Sequence, residues 1–120
     1  MAAKVVDASA LGALLFGEPD GAHVAERLRD ARLIAPALLP FEVASVCLKK
    51  RRRHPDQRDA LMAAFGMLER MEVGIVEVDQ GDVLVLAQRV GLTAYDASYL
   101  WLARETSSEL VTPGRAVGGR

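Results

Sequence analysis

The sequence reads as an α/β protein: a mainly parallel sheet with helices on both faces. Short β-branched or apolar runs alternate along the chain with longer segments of helical periodicity. The 120 residues are 51% hydrophobic and only 5% aromatic, enough for one aliphatic core. Neither an internal repeat nor a linker nor a low-complexity segment interrupts the pattern, so residues 1–120 read as one domain, with 113–120 a short C-terminal tail.

The elements follow in order. "KVVDAS" predicts a strand over 4–7 that ends at Asp7. Ser9 is placed to cap a helix, "ALGALLF", which stops near Gly17. "EPDGAHVAERLRDA" predicts a second helix with Val24, Ala25, Leu28 and Ala31 on one face. "RLIAP" predicts a strand over 32–35 stopped by Pro36. In "LLPFEVASVCLKKRRR", Pro40 suits the first position of a helix, where a missing N–H costs nothing, and Val43, Val46 and Cys47 form its inner face. The cations Lys49 to Arg53 fall at its C-terminal end, which the helix dipole favours.

Pro55 breaks the chain, and "DQRDALMAAFGMLERM" carries Leu61, Ala64, Phe65, Leu68 and Met71 at helical spacing. "VGIVEV" predicts a strand over 74–78. Asp79 and Gly91 bracket "QGDVLVLAQRV" as N-cap and stop, although "VLVLA" alone also reads as a strand. Thr93 caps the next helix, and "ELVT" predicts a strand over 109–112 that ends before Pro113 and Gly114.

Composition excludes several classes. A formal net charge of −1 gives no global sign of a polyanion binder, so any such partner needs a local basic patch. One cysteine, Cys47, excludes an intrachain disulfide framework and a cysteine-based zinc knuckle, and suits a reducing cytoplasm. No apolar run reaches the length of a membrane span, and Asp7 before the apolar stretch "ALGALLFG", with no clean small-residue cleavage pattern after it, argues against a signal peptide. His23 and His54 lack metal-ligand spacing, and no serine has a histidine partner in view, which disfavours a serine hydrolase.

Three acids fall at element ends: Asp7 after the first strand, Glu42 and Asp96 in first helical turns. In open parallel sheets, sites form outside the carboxyl ends of the strands. Acids in first turns are also common for a plain reason, a dipole stabilisation of about 0.3–1 kcal/mol. Asp96 is less plain, because Leu100 and Ala103 stack below it and the pattern predicts an inward carboxylate. A hard divalent cation such as Mg²⁺ or Mn²⁺ would offset the cost of such a charge.

The blocks "VVDASAL", "PFEVASV" and "LTAYDASYLWLA", in this order and spacing, resemble the signature of a PIN domain, most closely the VapC-like toxins of bacterial toxin–antitoxin pairs. "GEP" and "ARLIAPALLPFEV" fit the same pattern, and the likeness covers residues 4 to 112. The resemblance implies a three-layer α/β/α sandwich with a mainly parallel four- or five-stranded sheet. It implies an endoribonuclease, a hydrolase of RNA phosphodiesters, whose acidic cluster binds Mg²⁺ or Mn²⁺. It implies an antitoxin partner, a homodimer and a cytoplasmic setting. Matched by position, Asp7, Glu42 and Asp96 are three of the catalytic and metal-binding acids. Ser9 and Thr112 match supporting hydroxyl residues.

The chain departs from the family at the end of the fourth strand. "LVTPG" puts Gly114 where a fourth acid is usual, which predicts one well-held metal and weakened catalysis, or a fold that only binds RNA or a protein. Within "KKRRRH", Lys49, Arg51 and Arg52 are candidate RNA contacts, or else a solvated helix end. Tyr95, Tyr99 and Trp101 read as packing residues that could stack a base. Residues near Val24, Leu28, Leu33 and Leu38 are the expected dimer contacts.

Overall fold

A computed structural model describes residues 2–113. Four strands, β1 (Ala3–Val6), β2 (Arg32–Pro36), β3 (Gly74–Val76) and β4 (Glu109–Val111), form one sheet in the order β3-β2-β1-β4. All three pairings are parallel, with Val5 opposite Ile34 and Leu110, and Ala35 opposite Ile75. Among the described residues six α-helices flank the sheet as an α/β/α arrangement: α1 (Ala8–Leu15), α2 (Gly21–Leu28), α3 (Leu39–Arg53), α4 (Arg58–Gly66), α5 (Gln80–Val90) and α6 (Ala94–Glu105). Helix α1 packs on α2 and α3, α3 on α4, and α5 on α6, while α6 also lies against β1, β2 and β4.

The central strands carry the core. Val5, Val6, Ala35 and Val111 are fully buried together with Leu11, Leu39, Val43 and Leu102 from the helices. β1 and β2 are covered on both faces, which is why they read as continuous apolar runs. Cys47 is buried, with its Sγ 3.6 Å from the Leu61 carbonyl, so it joins α3 to α4. Among the described residues no helix is long and apolar enough to cross a membrane.

Several boundaries differ from the sequence reading. Ser9 does not cap α1; the Asp7 carboxylate does, accepting from Ala10 N at 2.8 Å, and Ser9 is exposed within the first turn. The helix therefore starts directly where β1 stops. Helix α2 is shorter than its apolar spacing suggested: Val24 and Leu28 are buried, but Ala25 is exposed and Ala31 lies past the helix. Its start is fixed by a close approach. A Cβ on Gly21 would sit 2.6 Å from the Ala13 carbonyl oxygen, so only glycine lets α2 pack there against α1.

Pro40 is the second residue of α3 rather than the first, because the helix begins at Leu39. The segment after Pro55 is a 3₁₀ turn, α4, and a second 3₁₀ turn over Met67–Met71, and only Leu61 of its apolar face is buried. "VLVLA" is helical: the Asp79 cap, which accepts from Asp82 N at 2.9 Å, and Gly91 at φ 72° enclose it. Strand β3 ends at Val76, short of 78.

The expected dimer contacts divide. Val24 is fully buried within the protomer, whereas Leu28 and Leu33, though mostly buried, line an open apolar groove with Leu14, Ala22, Ala25 and Met71, and Leu38 is half-buried. Gly114 and the rest of the expected C-terminal tail after Pro113 lie outside the described residues.

Candidate active site

Three helices begin at the carboxyl edge of the sheet and bring the three acids to one cleft. Asp7 sits at the junction of β1 and α1, its N–H bonded to the Val111 carbonyl of the neighbouring strand at 3.2 Å. Glu42 lies in the first turn of α3, and Asp96 in the first turn of α6, where its N–H donates to Thr93 Oγ1 at 3.0 Å. Together with Ser9, Ser45, Lys49 and Tyr99 they line a cleft of about 230 Å³.

The cleft is electrostatically uneven. Burial, followed by the charges of Asp96 and Glu42, pushes the Asp7 carboxyl up from its ordinary 3.8 to about 6, against the opposing pull of backbone hydrogen bonds from Ala10 and Ser9. The desolvated acid is therefore Asp7. Asp96 is exposed, which corrects the expectation that it points inward above an apolar stripe. Its neighbours Ala97, Leu102 and Ala103 are buried, but the side chain of the third helical residue stands at the cleft mouth.

Tyr99 is the residue that sequence reading assigned to packing and that the structure places in the site. It is 3% exposed, and its hydroxyl donates to Glu42 Oε1 at 2.5 Å. Burial, that hydrogen bond and the charges of Glu42 and Asp7 raise the phenol far above its ordinary range, so it stays a donor. A signal was present: Tyr99 follows Asp96 by three positions, on the same helix face, and a buried tyrosine hydroxyl needs a partner.

The other expected site residues divide. Lys49 lines the cleft, two turns along α3 from Glu42. Arg52 is exposed but does not line it, and Arg51 is half-buried, with an Nε that has no hydrogen-bond partner among the described residues. Lys50 pairs with Glu18 at 2.7 Å. Thr112 is buried just beyond β4, its Oγ1 also without a hydrogen-bond partner among the described residues, and it does not line the cleft.

The donor set can be tested against a divalent cation. Among the described residues, no three acidic, histidine or cysteine side chains stand as a ready metal cage. Mg²⁺ and Mn²⁺ do not need one. Such hard ions prefer oxygen ligands, and Mg²⁺ usually keeps several waters while binding through one or two carboxylates. Three carboxylates around one cleft, one of them partly desolvated beside the other two, fit an ion held in that way.

Comparison with known proteins agrees with the fold. The PIN domain family pattern matches residues 4–116. Among solved structures, the crystal structure of PAE2754 from Pyrobaculum aerophilum superposes with a TM-score of 0.77 at 28% identity, covering 95% of this chain and 81% of that one. The search of curated proteins returned no match.

Proposed function

The chain belongs to the PIN domain family, and from that premise we propose that it is a Mg²⁺- or Mn²⁺-dependent endoribonuclease acting as the toxin of a toxin–antitoxin pair. PIN domains are generally nucleases, which supports a hydrolase. The observation that carries the reading is the cleft shared by Asp7, Glu42 and Asp96, with Asp7 raised by burial and by the other two.

Asp7 and Asp96 would be the main ligands of the cation, and Glu42 would hold it directly or through a water. When bound, such an ion would lower the pKa of a water and offset charge on the scissile phosphate. The chain's own residues do the rest. Tyr99 keeps its proton directed at Glu42 Oε1, which fixes that carboxylate and leaves its other oxygen for the site. The backbone N–H of Ala10 holds one oxygen of Asp7. Lys49 places a positive charge in the cleft, suited to an RNA phosphate, and Arg52 continues the basic surface along α3. Arg51 takes part only if its half-buried side chain turns outward. Ser9 lines the Asp7 side of the cleft as a supporting hydroxyl, whereas Thr112, outside the cleft lining, would support it only from behind, at the end of β4. Hydrolysis adds water at phosphorus and breaks the bond to a ribose oxygen, which leaves with a proton.

The toxin assignment rests on the three blocks that resemble VapC-like sequences and brings with it an antitoxin, a cytoplasmic setting and a homodimer. Leu84 and Val85, 64% and 56% exposed on α5, offer apolar surface for self-association, which light scattering at rising concentration measures. The experiment for the activity is RNA cleavage by the native chain with Mn²⁺, with Mn²⁺ plus chelator, and by Asp96→Asn. Cleavage in the first case alone supports the nuclease. Cleavage that survives both chelation and the substitution refutes it. Growth arrest on expression in a bacterial host, absent for Asp96→Asn, tests the toxin role.

A second reading has its own support. Gly114 stands in place of a fourth acid, and the described acids form no ready metal cage. RNA binding without cleavage, with no activity gained by Gly114→Asp, would assign a binding module instead.

A further inference from the structure

Phe41 and Tyr95 are the most exposed large hydrophobic side chains among the described residues, at 80% and 65%. Their positions are parallel. Phe41 immediately precedes Glu42 in the first turn of α3, and Tyr95 immediately precedes Asp96 in the first turn of α6. Each also stands one helical turn ahead of a residue that lines the acid cleft, Ser45 after Phe41 and Tyr99 after Tyr95. Residues four apart share a helix face, so the two rings stand on the rim of that cleft. The first turn of α6 is well fixed: Thr93 caps it, and Ser98 Oγ donates to the Tyr95 carbonyl at 2.6 Å.

An apolar protein surface is a poor occupant of this rim. It would have to cover the intervening carboxylates, and burying unpaired charge is costly. A planar nucleobase makes no such demand, because it can lie on a ring while its phosphate stays in the wet cleft. Lys49 provides the charge complement for that backbone on the Phe41 side. We propose that Phe41 and Tyr95 are stacking platforms for nucleobases flanking the phosphate held over the acid cleft, and that these two rings are the means by which the chain selects an unpaired strand. In a duplex the base faces are already stacked on one another and cannot reach the rings. The inference rests on the proposed nuclease reading in taking RNA as the occupant.

The test uses a short unpaired RNA carrying 2-aminopurine at successive positions and a duplex of the same sequence. Both are titrated onto the chain in an Asp96→Asn background. Binding of the unpaired strand quenches the probe next to the cleft. Phe41→Leu and Tyr95→Leu, which keep apolar bulk and lose the π face, each weaken affinity about ten-fold and relieve the quench. Phe41→Tyr and Tyr95→Phe retain both, and the duplex binds more weakly than the single strand. Equal affinity of the Leu variants, equal binding of the duplex, or no RNA binding at all overturns the inference. So does a change in self-association on Leu substitution with RNA affinity unchanged, which would make the rings protein contacts. Cleavage by the native aromatic pair and by the Leu variants separates the two claims. No cleavage, with binding that still depends on the rings, sinks the nuclease and leaves the platforms. Cleavage of unpaired RNA that ignores the rings sinks the platforms alone.

Discussion

The two ends of β1 face opposite electrostatic conditions. At the start of the strand, Lys4 lies opposite Glu109 of β4. The Glu109 carboxylate takes a hydrogen bond from Arg27 Nη2 at 2.5 Å and an ion pair from Lys4 Nζ at 3.4 Å. Lys4 and Arg27 are further tied by a hydrogen bond to the Arg27 carbonyl, and Arg27 reaches the Thr112 carbonyl at 3.3 Å. At the other end Asp7 has two carboxylates for neighbours and is partly desolvated. The hydrogen bond from Arg27 pulls the Glu109 pKa below its ordinary 4.5, while burial lifts that of Asp7 to about 6. One end joins α2 to the edge of the sheet. The other gathers like charge, an arrangement that costs stability unless a cation enters. The hydrogen bonds from Ala10 and Tyr99 offset only part of that cost, and local instability of this kind is common at sites for catalysis or binding.

The largest effect should come from breaking the strained end. Asp7→Asn should lower RNA cleavage by at least about a hundred-fold. It should also stabilise the metal-free fold, because asparagine caps a helix about as well as aspartate. The raised pKa corresponds to roughly 3 kcal/mol. Some of that is offset by the lost charge–dipole attraction, so denaturant unfolding at pH 7–8 should show a gain of about 1–2 kcal/mol. The sign follows from proton linkage: the folded chain holds the Asp7 proton more tightly than the unfolded chain. Native stability should therefore rise from this group as pH falls from about 6 towards 3.8, and the advantage of Asp7→Asn should vanish over that range. An unchanged difference between pH 8 and pH 4 would contradict the assigned strain.

A smaller change separates positioning from folding. Tyr99→Phe removes the donor to Glu42 and keeps the ring in the core. Cleavage should fall about ten-fold, with a higher Mn²⁺ requirement, because the freed carboxylate oxygen no longer has a fixed orientation. A loss of activity that follows thermal stability alone, with the Mn²⁺ requirement unchanged, would reduce Tyr99 to a core residue.

The smallest effect belongs to the paired end. Glu109→Gln should cost about 0.5–1 kcal/mol, since that carboxylate is 47% exposed and solvent screens the pair. Its contribution is present above pH 4.5 and is lost as pH falls through the lowered folded value, the opposite slope to that of Asp7. Cleavage should be unaffected. A strong loss of activity in Glu109→Gln would join the two ends that the account keeps apart.

Sequence patterns exposed the sheet because β1, β2 and β4 are short apolar runs bounded by polar or proline signals, and the alternation with helices left few topologies. They exposed the positions of Asp7, Glu42 and Asp96 because each terminates or begins an element, and element ends are marked locally. What they hid was set by tertiary contact. The desolvated acid is Asp7 and not Asp96, because burial at the β1–α1 junction depends on what packs over it. The role of Tyr99 depends on Glu42, a partner in another helix. Val24 read as surface for a partner, but α2 folds down on α1 through the close approach at Gly21 and buries it fully.

The central claim is that the like-charged end of β1 is a cation site. Thermal unfolding of the native chain and of Asp7→Asn, each titrated with Mn²⁺ at pH 7.5 and at pH 5, tests it directly. The account predicts a saturable rise in the native Tm at pH 7.5, since an ion that binds only the folded state stabilises it by mass action. The rise should shrink at pH 5, where Asp7 is largely protonated, and should be much reduced in Asp7→Asn, which starts from a higher Tm without metal. A native Tm that ignores Mn²⁺ at pH 7.5, or an equal rise in both proteins, would contradict it.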